Sequence, residues 1–268
     1  MKVLVIGAGN MGLTYAEGMS KSKLLKNKNI MVLDKSDKKL EELHQISHFD
    51  AYKELEDCVP QADIIFVAVK PHHAEELFKN MQPMVTADQI IVSIMAGVTL
   101  ETIMGFSGVK KVIRAMPNLP AKVGLGLTSY VASSEVSRIE ISTIESLLNT
   151  TGKSILVSKE SFIDASTGIS GSGPAYVFYF MQSMMDAALQ MGFSKKDSTV
   201  LVSQTFTGAI ELFNQSDISP KSWMEKVASK GGTTQAALDS MDDNNVNKLI
   251  KEAAFAAFSR AVELGKEN

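Results

Sequence analysis

The chain has 268 residues, 45% of them hydrophobic and 21% charged, and carries a formal net charge of −3 at pH 7. Such a composition belongs to a folded globular protein of one large or two ordinary domains, without the basic field that would hold nucleic-acid phosphates. Cys58 is the single cysteine, which excludes an intrachain disulfide and a thiolate metal cluster.

In chain order, Lys2–Gly7 reads as a buried strand and Asn10–Leu25 as a helix. Asn29–Asp34 is a second strand, followed by a charged helix over Asp37–Ile46. Ala62–Val69, Gln89–Met95 and Lys111–Met116 are continuous apolar runs. Strands apolar on both faces, separated by helical patterns, imply a parallel sheet covered on both sides. A strand over Gly124–Ala132, a helix over Glu135–Asn149 and a short strand at Ser154–Val157 follow. Beyond Lys159 apolar residues recur at helical spacing only. The expected organisation is therefore a doubly wound α/β domain over residues 1–158 and an all-helical domain over 159–268. Within the latter, Ala175–Met191 is apolar nearly all round, as expected of a helix buried at a domain or subunit interface. The apolar run after Lys2 breaks at Gly7 and Gly9, too soon for a signal peptide, and no apolar stretch approaches the ~20 residues of a membrane span. No membrane or nucleic-acid partner is expected, and a cytoplasmic location is.

Gly7-Ala8-Gly9-Asn10-Met11-Gly12 fits G-x-G-x-x-G where a strand ends and a helix opens, the context that gives the motif its meaning. The first glycine makes the turn, the second admits a pyrophosphate to the backbone, the third lets helix and strand approach, and the helix start faces the phosphate charge. A Rossmann domain holding NAD or NADP is the expectation. Asp34 closes the second strand where an acid bonds adenosine ribose hydroxyls and favours NAD, whereas Lys35 and Ser36 suit a 2′-phosphate. Ligands of such sheets lie at the carboxyl ends of the strands. That rule selects Ala68, Val69, Lys70 and Pro71 after one strand, Ala96 within Ile94–Gly97 after the next, and Met116, Pro117 and Asn118 after a third. His72 and His73 precede Glu75 and Glu76, but with no third ligand in view they read as a solvated helix start, and no metal site is expected.

In the helical half, Gly168–Tyr176 (GISGSGPAY) is a glycine- and serine-rich turn ahead of the long apolar helix. Ser229–Thr234 (SKGGTT) lies between helices expected at Lys221–Ala228 and Gln235–Met241. Its backbone N–H groups suit a carboxylate, and its threonine hydroxyls can donate or accept.

Taken in order, Gly7–Gly12, Ala68–Pro71, Arg114–Pro120 (RAMPNLP), Gly171–Tyr176 (GSGPAY) and Gly231–Thr234 (GGTT) resemble the motif set of pyrroline-5-carboxylate reductase along the whole chain. The resemblance implies reduction of 1-pyrroline-5-carboxylate, a cyclic imino acid, to L-proline with NADPH or NADH. It further implies a helical domain that builds a homodimer and often a ring of dimers. By resemblance Thr234 would bond the pyrroline nitrogen. Ser229, Gly231, Gly232 and Thr233 would bind the substrate, the last three through its carboxylate, and Glu160 would lie near it. Two departures stand out. Lys230 occupies a position where the family usually has proline, and Phe49–Ala62 does not register with the family's cofactor-contacting asparagine.

A β-hydroxyacid dehydrogenase shares the two-domain plan, but its catalytic lysine, four residues after the last glycine of the helix start, falls on Val177 here. No histidine follows His73 to protonate an alkoxide. A cyclic imine needs no such donor, because its protonated form is already electrophilic. A nucleotide-binding regulator without turnover would have no use for the SKGGTT loop.

Overall fold

The computed structural model describes residues 1–22, 24–25 and 29–267, with side chains as far as residue 265. An eight-stranded sheet runs in the order β3-β2-β1-β4-β5-β6-β7-β8. The strands are β1 (Val3–Ile6), β2 (Ile30–Leu33), β3 (Asp50–Tyr52), β4 (Ile64–Val67), β5 (Ile90–Ser93), β6 (Val112–Met116), β7 (Gly126–Ala132) and β8 (Gly152–Leu156). β1 to β6 are parallel; β7 runs antiparallel to β6, and β8 is parallel to β7. The sheet expected to be parallel is therefore reversed at one edge. A short 3₁₀ turn over Leu119–Val123, closed by Gly124 at φ 74°, returns the chain to β6 at once and makes a crossover helix unnecessary.

Each inner strand is buried along its length because successive side chains enter opposite cores. Val3 and Val5 join Tyr15 and Met19 of α1 (Asn10–Lys21) and Leu147 and Leu148 of α5 (Arg138–Leu148). Leu4 and Ile6 face the other way, into a core with Phe78 and Met81 of α3 (Ala74–Met81) and Ile103 of α4 (Leu100–Ser107). Between β2 and β3 lies α2 (Asp37–His44). The helix expected over Asn10–Leu25 ends at Lys21, and Lys23 lies outside the described residues.

After β8 come α6 (Ser161–Ser166), a π-helical turn over Thr167–Gly171, and then α7 (Gly173–Gln190), α8 (Lys195–Asn214), α9 (Pro220–Val227), α10 (Thr233–Asp243) and α11 (Val246–Glu267). By packing, the chain divides into residues 1–172 with the end of α11 from Ala256 onward, and residues 173–255. The change of pattern near residue 158 marks the last strand. It does not coincide with the packing boundary, because α6 belongs with β6 and β7, and Gly265 of α11 lies by the Gly97 carbonyl. In the second unit α7 packs on α8, and Ser198 and Val202 of α8 are buried, while α7 buries no residue.

Candidate active site

The glycine motif forms the turn that the sequence implies. Gly7 has φ 100°, and a Cβ there would meet the Ala68 carbonyl oxygen at 3.0 Å. A Cβ on Gly12 would overlap the Gly7 carbonyl, so α1 can approach β1 only with glycine at that position. A Cβ on Gly9 would meet nothing within 4 Å, leaving open space above the loop. Gly9 is the N-cap of α1, with no side-chain cap and no acidic residue in the first turn. The helix start with Asn10 and Met11 thus presents N–H groups and positive dipole to that space, a cradle that fits a dinucleotide pyrophosphate.

Asp34 lies beside the cradle. Its Oδ2 accepts from Ala8 N at 2.7 Å and its Oδ1 from Ser36 N at 2.9 Å, while its own N–H donates to the Tyr52 carbonyl. Ser36 Oγ caps α2 by accepting from Lys39 N. A cleft of about 680 Å³ opens here, lined by Gly7, Asp34, Lys35, Val69, His73 and Glu76 among others. Lys35 Nζ is 3.6 Å from Glu76 Oε1, and Lys53 Nζ is 2.6 Å from Asp37 Oδ1, whose carboxylate pushes the lysine ammonium up. Lys53, Glu54, Leu55 and Glu56 also line the cleft, and no sequence signal had marked them. They follow β3, which is too short to show a pattern.

Ala68 and Val69 touch the glycine turn, and Lys70 and Pro71 lead exposed and half-buried into a 3₁₀ turn carrying His72 and His73, whose rings lie 4.1 Å apart. Among the described residues no group of three His, Cys, Asp or Glu side chains is placed to hold a metal. Burial pushes the Cys58 thiol up to about 12, so it stays protonated and unreactive. Ala96 is half-buried beside Gly97, which has φ 75°.

A buried ion pair braces the third of these strands. Arg114 of β6 is 2% exposed; its Nη1 donates to Glu160 Oε1 at 3.0 Å and its Nη2 to Asp164 Oδ1 at 2.6 Å. The same Glu160 oxygen accepts from Leu100 N at the start of α4. Glu160, expected near the substrate by resemblance, thus ties β6, α4 and α6 together. Asn118 is similarly engaged: its Nδ2 donates to Ser170 O and Oγ, and its Oδ1 accepts from Leu127 N. Pro117 is buried, and the Met116 methyl lies where a Cβ on Gly171 would come within 3.1 Å. The segment GISGSG is not an open turn. It is a π-helical turn in which Ser172 N donates to Thr167 O, a local widening often found at functional sites.

In the second unit, Gly231 has φ 72° and Gly232 N donates to Ser229 O, a turn that delivers the chain into α10. α10 begins at Thr233, two residues earlier than expected, so both threonines lie in its first turn. Gly232 is the N-cap without a side-chain cap, and Ser229 Oγ occupies the space a Cβ there would need. Thr234 is half-buried, while Ser229, Lys230 and Thr233 are exposed.

A sheet ending in a glycine cradle at β1, followed by helices that carry an uncapped glycine–threonine helix start, defines a two-domain, dinucleotide-dependent oxidoreductase. The family description "Pyrroline-5-carboxylate reductase dimerisation" matches residues 160–264, and "NADP oxidoreductase coenzyme F420-dependent" matches residues 2–97. The chain is 33% identical to pyrroline-5-carboxylate reductase 2 of Bacillus subtilis, across 99% of this chain and 96% of that one. A pyrroline-5-carboxylate reductase structure from Coxiella burnetii superposes with a TM-score of 0.92 at 30% identity, covering 98% of each chain. The Plasmodium falciparum pyrroline carboxylate reductase with NADP bound gives a TM-score of 0.89 at 28% identity, covering 99% of this chain and 98% of that one. The chain belongs to the pyrroline-5-carboxylate reductase family.

Proposed function

We propose that this protein reduces 1-pyrroline-5-carboxylate to L-proline, taking hydride from a reduced nicotinamide dinucleotide, and works as a homodimer. The observation that carries the reading is the entry into α10, where Gly231 in the left-handed region and an uncapped first turn present N–H groups to an anion. The N–H groups of Gly231 and Thr233 suit the substrate carboxylate, in a turn that the Ser229 carbonyl closes by accepting from Gly232 N. Thr234, half-buried in the same turn, brings a hydroxyl able to accept the iminium N–H or donate to the product amine.

Gly7, Gly9 and Gly12, with the start of α1, would hold the pyrophosphate. Ala68 to Pro71, Ala96, Met116 and Pro117 would shape the crevice at the strand ends. The bound dinucleotide supplies the hydride; the protein supplies orientation and a fixed donor–acceptor at the nitrogen. Lys230 adds a positive charge beside the carboxylate turn. The test is a spectrophotometric assay pairing NADH and NADPH with pyrroline-5-carboxylate and with its six-membered homologue. Cofactor oxidation with the five-membered imine and formation of proline are expected; oxidation with neither imine overturns the reading.

A further inference from the structure

We infer that the dinucleotide crevice is built for an unphosphorylated adenosine ribose, so that this protein binds NADH in preference to NADPH, with Asp34 as the residue that decides. The inference rests on the dinucleotide reading above but goes beyond it, since that reading leaves the choice between the two cofactors open.

An acid at the end of β2 can tolerate a 2′-phosphate if its side chain swings aside. Here it is held at three points. The Asp34 backbone N–H is bound to the Tyr52 carbonyl of the edge strand, Oδ1 takes the Ser36 N–H and Oδ2 takes the Ala8 N–H. Ala8 is 1% exposed, so turning the carboxylate away would strand a buried donor. An ionised carboxylate offers about four lone-pair sites. With two spent on backbone, two remain for donors, which ribose hydroxyls are and a phosphate dianion is not.

Each lysine that lines the cleft has a carboxylate within 4 Å. Lys35 faces Glu76, Lys53 is bonded to Asp37 and Lys79 to Glu75. The cleft wall carries Asp34, Glu54, Glu56 and Glu76 against Lys35, Lys53 and Lys79. Ser36, the other candidate for a 2′-phosphate, accepts from Lys39 N in the α2 cap and keeps an O–H to donate, but it brings no positive charge against the Asp34 carboxylate. Among the described residues that line it, the pocket thus fixes one negative charge at the glycine loop and pairs each of its lysines with a carboxylate.

Like charges in contact discriminate strongly, so NADH should bind the intact protein at least about tenfold tighter than NADPH. Dissociation constants for both dinucleotides, measured by calorimetry without substrate, read this directly. Adenosine 5′-monophosphate and adenosine 2′,5′-bisphosphate, used as competitors, confine the comparison to the ribose. The Asp34→Asn variant, which removes charge with little change of shape, should move the affinity ratio toward NADPH. It should also speed hydrogen exchange at the Ala8 amide. Equal or tighter NADPH binding by the wild type, or an unmoved ratio in Asp34→Asn, overturns the inference and leaves the reductase reading standing. Tight, selective NADH binding without turnover of pyrroline-5-carboxylate supports the inference and overturns that reading instead. Binding of neither dinucleotide overturns both.

Discussion

Arg114 brings a full positive charge into a buried strand, and its two carboxylates lie 46 and 50 residues further along the chain. Removing one partner of a buried pair leaves an uncompensated charge, which costs about 3–5 kcal/mol in the fully buried case. Asp164→Ala leaves Arg114 its Glu160 partner, so it should cost less than that, about 1.5–3 kcal/mol for one lost hydrogen bond to a charged group, measured as a shift in denaturant midpoint. Glu160→Gln separates the two roles open to that residue. A brace predicts a lower melting temperature with the substrate KM within about twofold of wild type, whereas a substrate ligand predicts a raised KM at unchanged stability. We expect the former, because Glu160 Oε1 already serves Leu100 N and Arg114. Thr234 is the opposite case. Thr234→Val should fold normally and lose roughly a hundredfold in kcat through one missing transition-state hydrogen bond; near-normal turnover would remove Thr234 from the chemistry. The glycines, Asp34 and the threonines could be read in the sequence because each sits at a punctuated strand or helix end. The Arg114 brace could have been suspected from a lone arginine in an apolar strand, which must find a partner. Asp164, 50 residues beyond Arg114, and Ser170, 52 residues beyond its partner Asn118, carried no such mark.

At the level of elements, α5 shows how local chemistry fixes a boundary and sets a pH dependence. Ser137 Oγ accepts from Glu140 N, and the Glu140 carboxylate reaches back to Ser137 N, a complete capping box. Glu140 also receives Lys111 Nζ at 2.8 Å, and that bond, followed by the Ser137 N–H, holds its carboxyl down at about 2. The folded value lies below the unfolded one, so this contribution is fully present above about pH 4.5 and is lost as pH falls toward 2. Thermal melts across that window should show a declining midpoint. The decline should flatten in Glu140→Gln, which keeps the cap but removes the titrating charge; identical slopes would sink the assignment. Ser137→Ala should cost about 1 kcal/mol at neutral pH. Boundaries with such signals, or with long apolar runs, were legible to within a few residues. β3 was not, because three half-buried residues, Asp50–Tyr52, carry no apolar run and are recruited only by pairing with β2. The reversal of β7 was equally hidden, since a strand's composition does not encode its direction.

For the whole molecule, the helical unit bears most directly on assembly. Ala175–Met191 is apolar on nearly every face in sequence, yet in a single chain α7 buries none of its residues. Tyr179 is 75% exposed, Met191 78% and Phe255 67%, and Phe178 and Met184 are also exposed. Soluble monomers seldom leave so many large apolar groups in water. Each such side chain gains about 1.5–3 kcal/mol on full burial, and a stable interface needs on the order of 1,200–2,000 Å². Residues of this size and chemistry on and beside α7 and on α11 can meet that need if a second copy covers them, and two-fold symmetry lets one patch serve both sides. That is how the match to a dimerisation domain over residues 160–264 acquires a physical cause. Sedimentation velocity should therefore find a dimer at micromolar concentration, and Met184→Asp should shift the population toward monomer by placing a charge in the covered patch. Because the glycine cradle and Asp34 are built from residues 1–172 alone, dinucleotide affinity should survive that substitution while assembly fails. A wild-type monomer with full activity at the same concentration would mean that the exposed faces of α7 need no second copy.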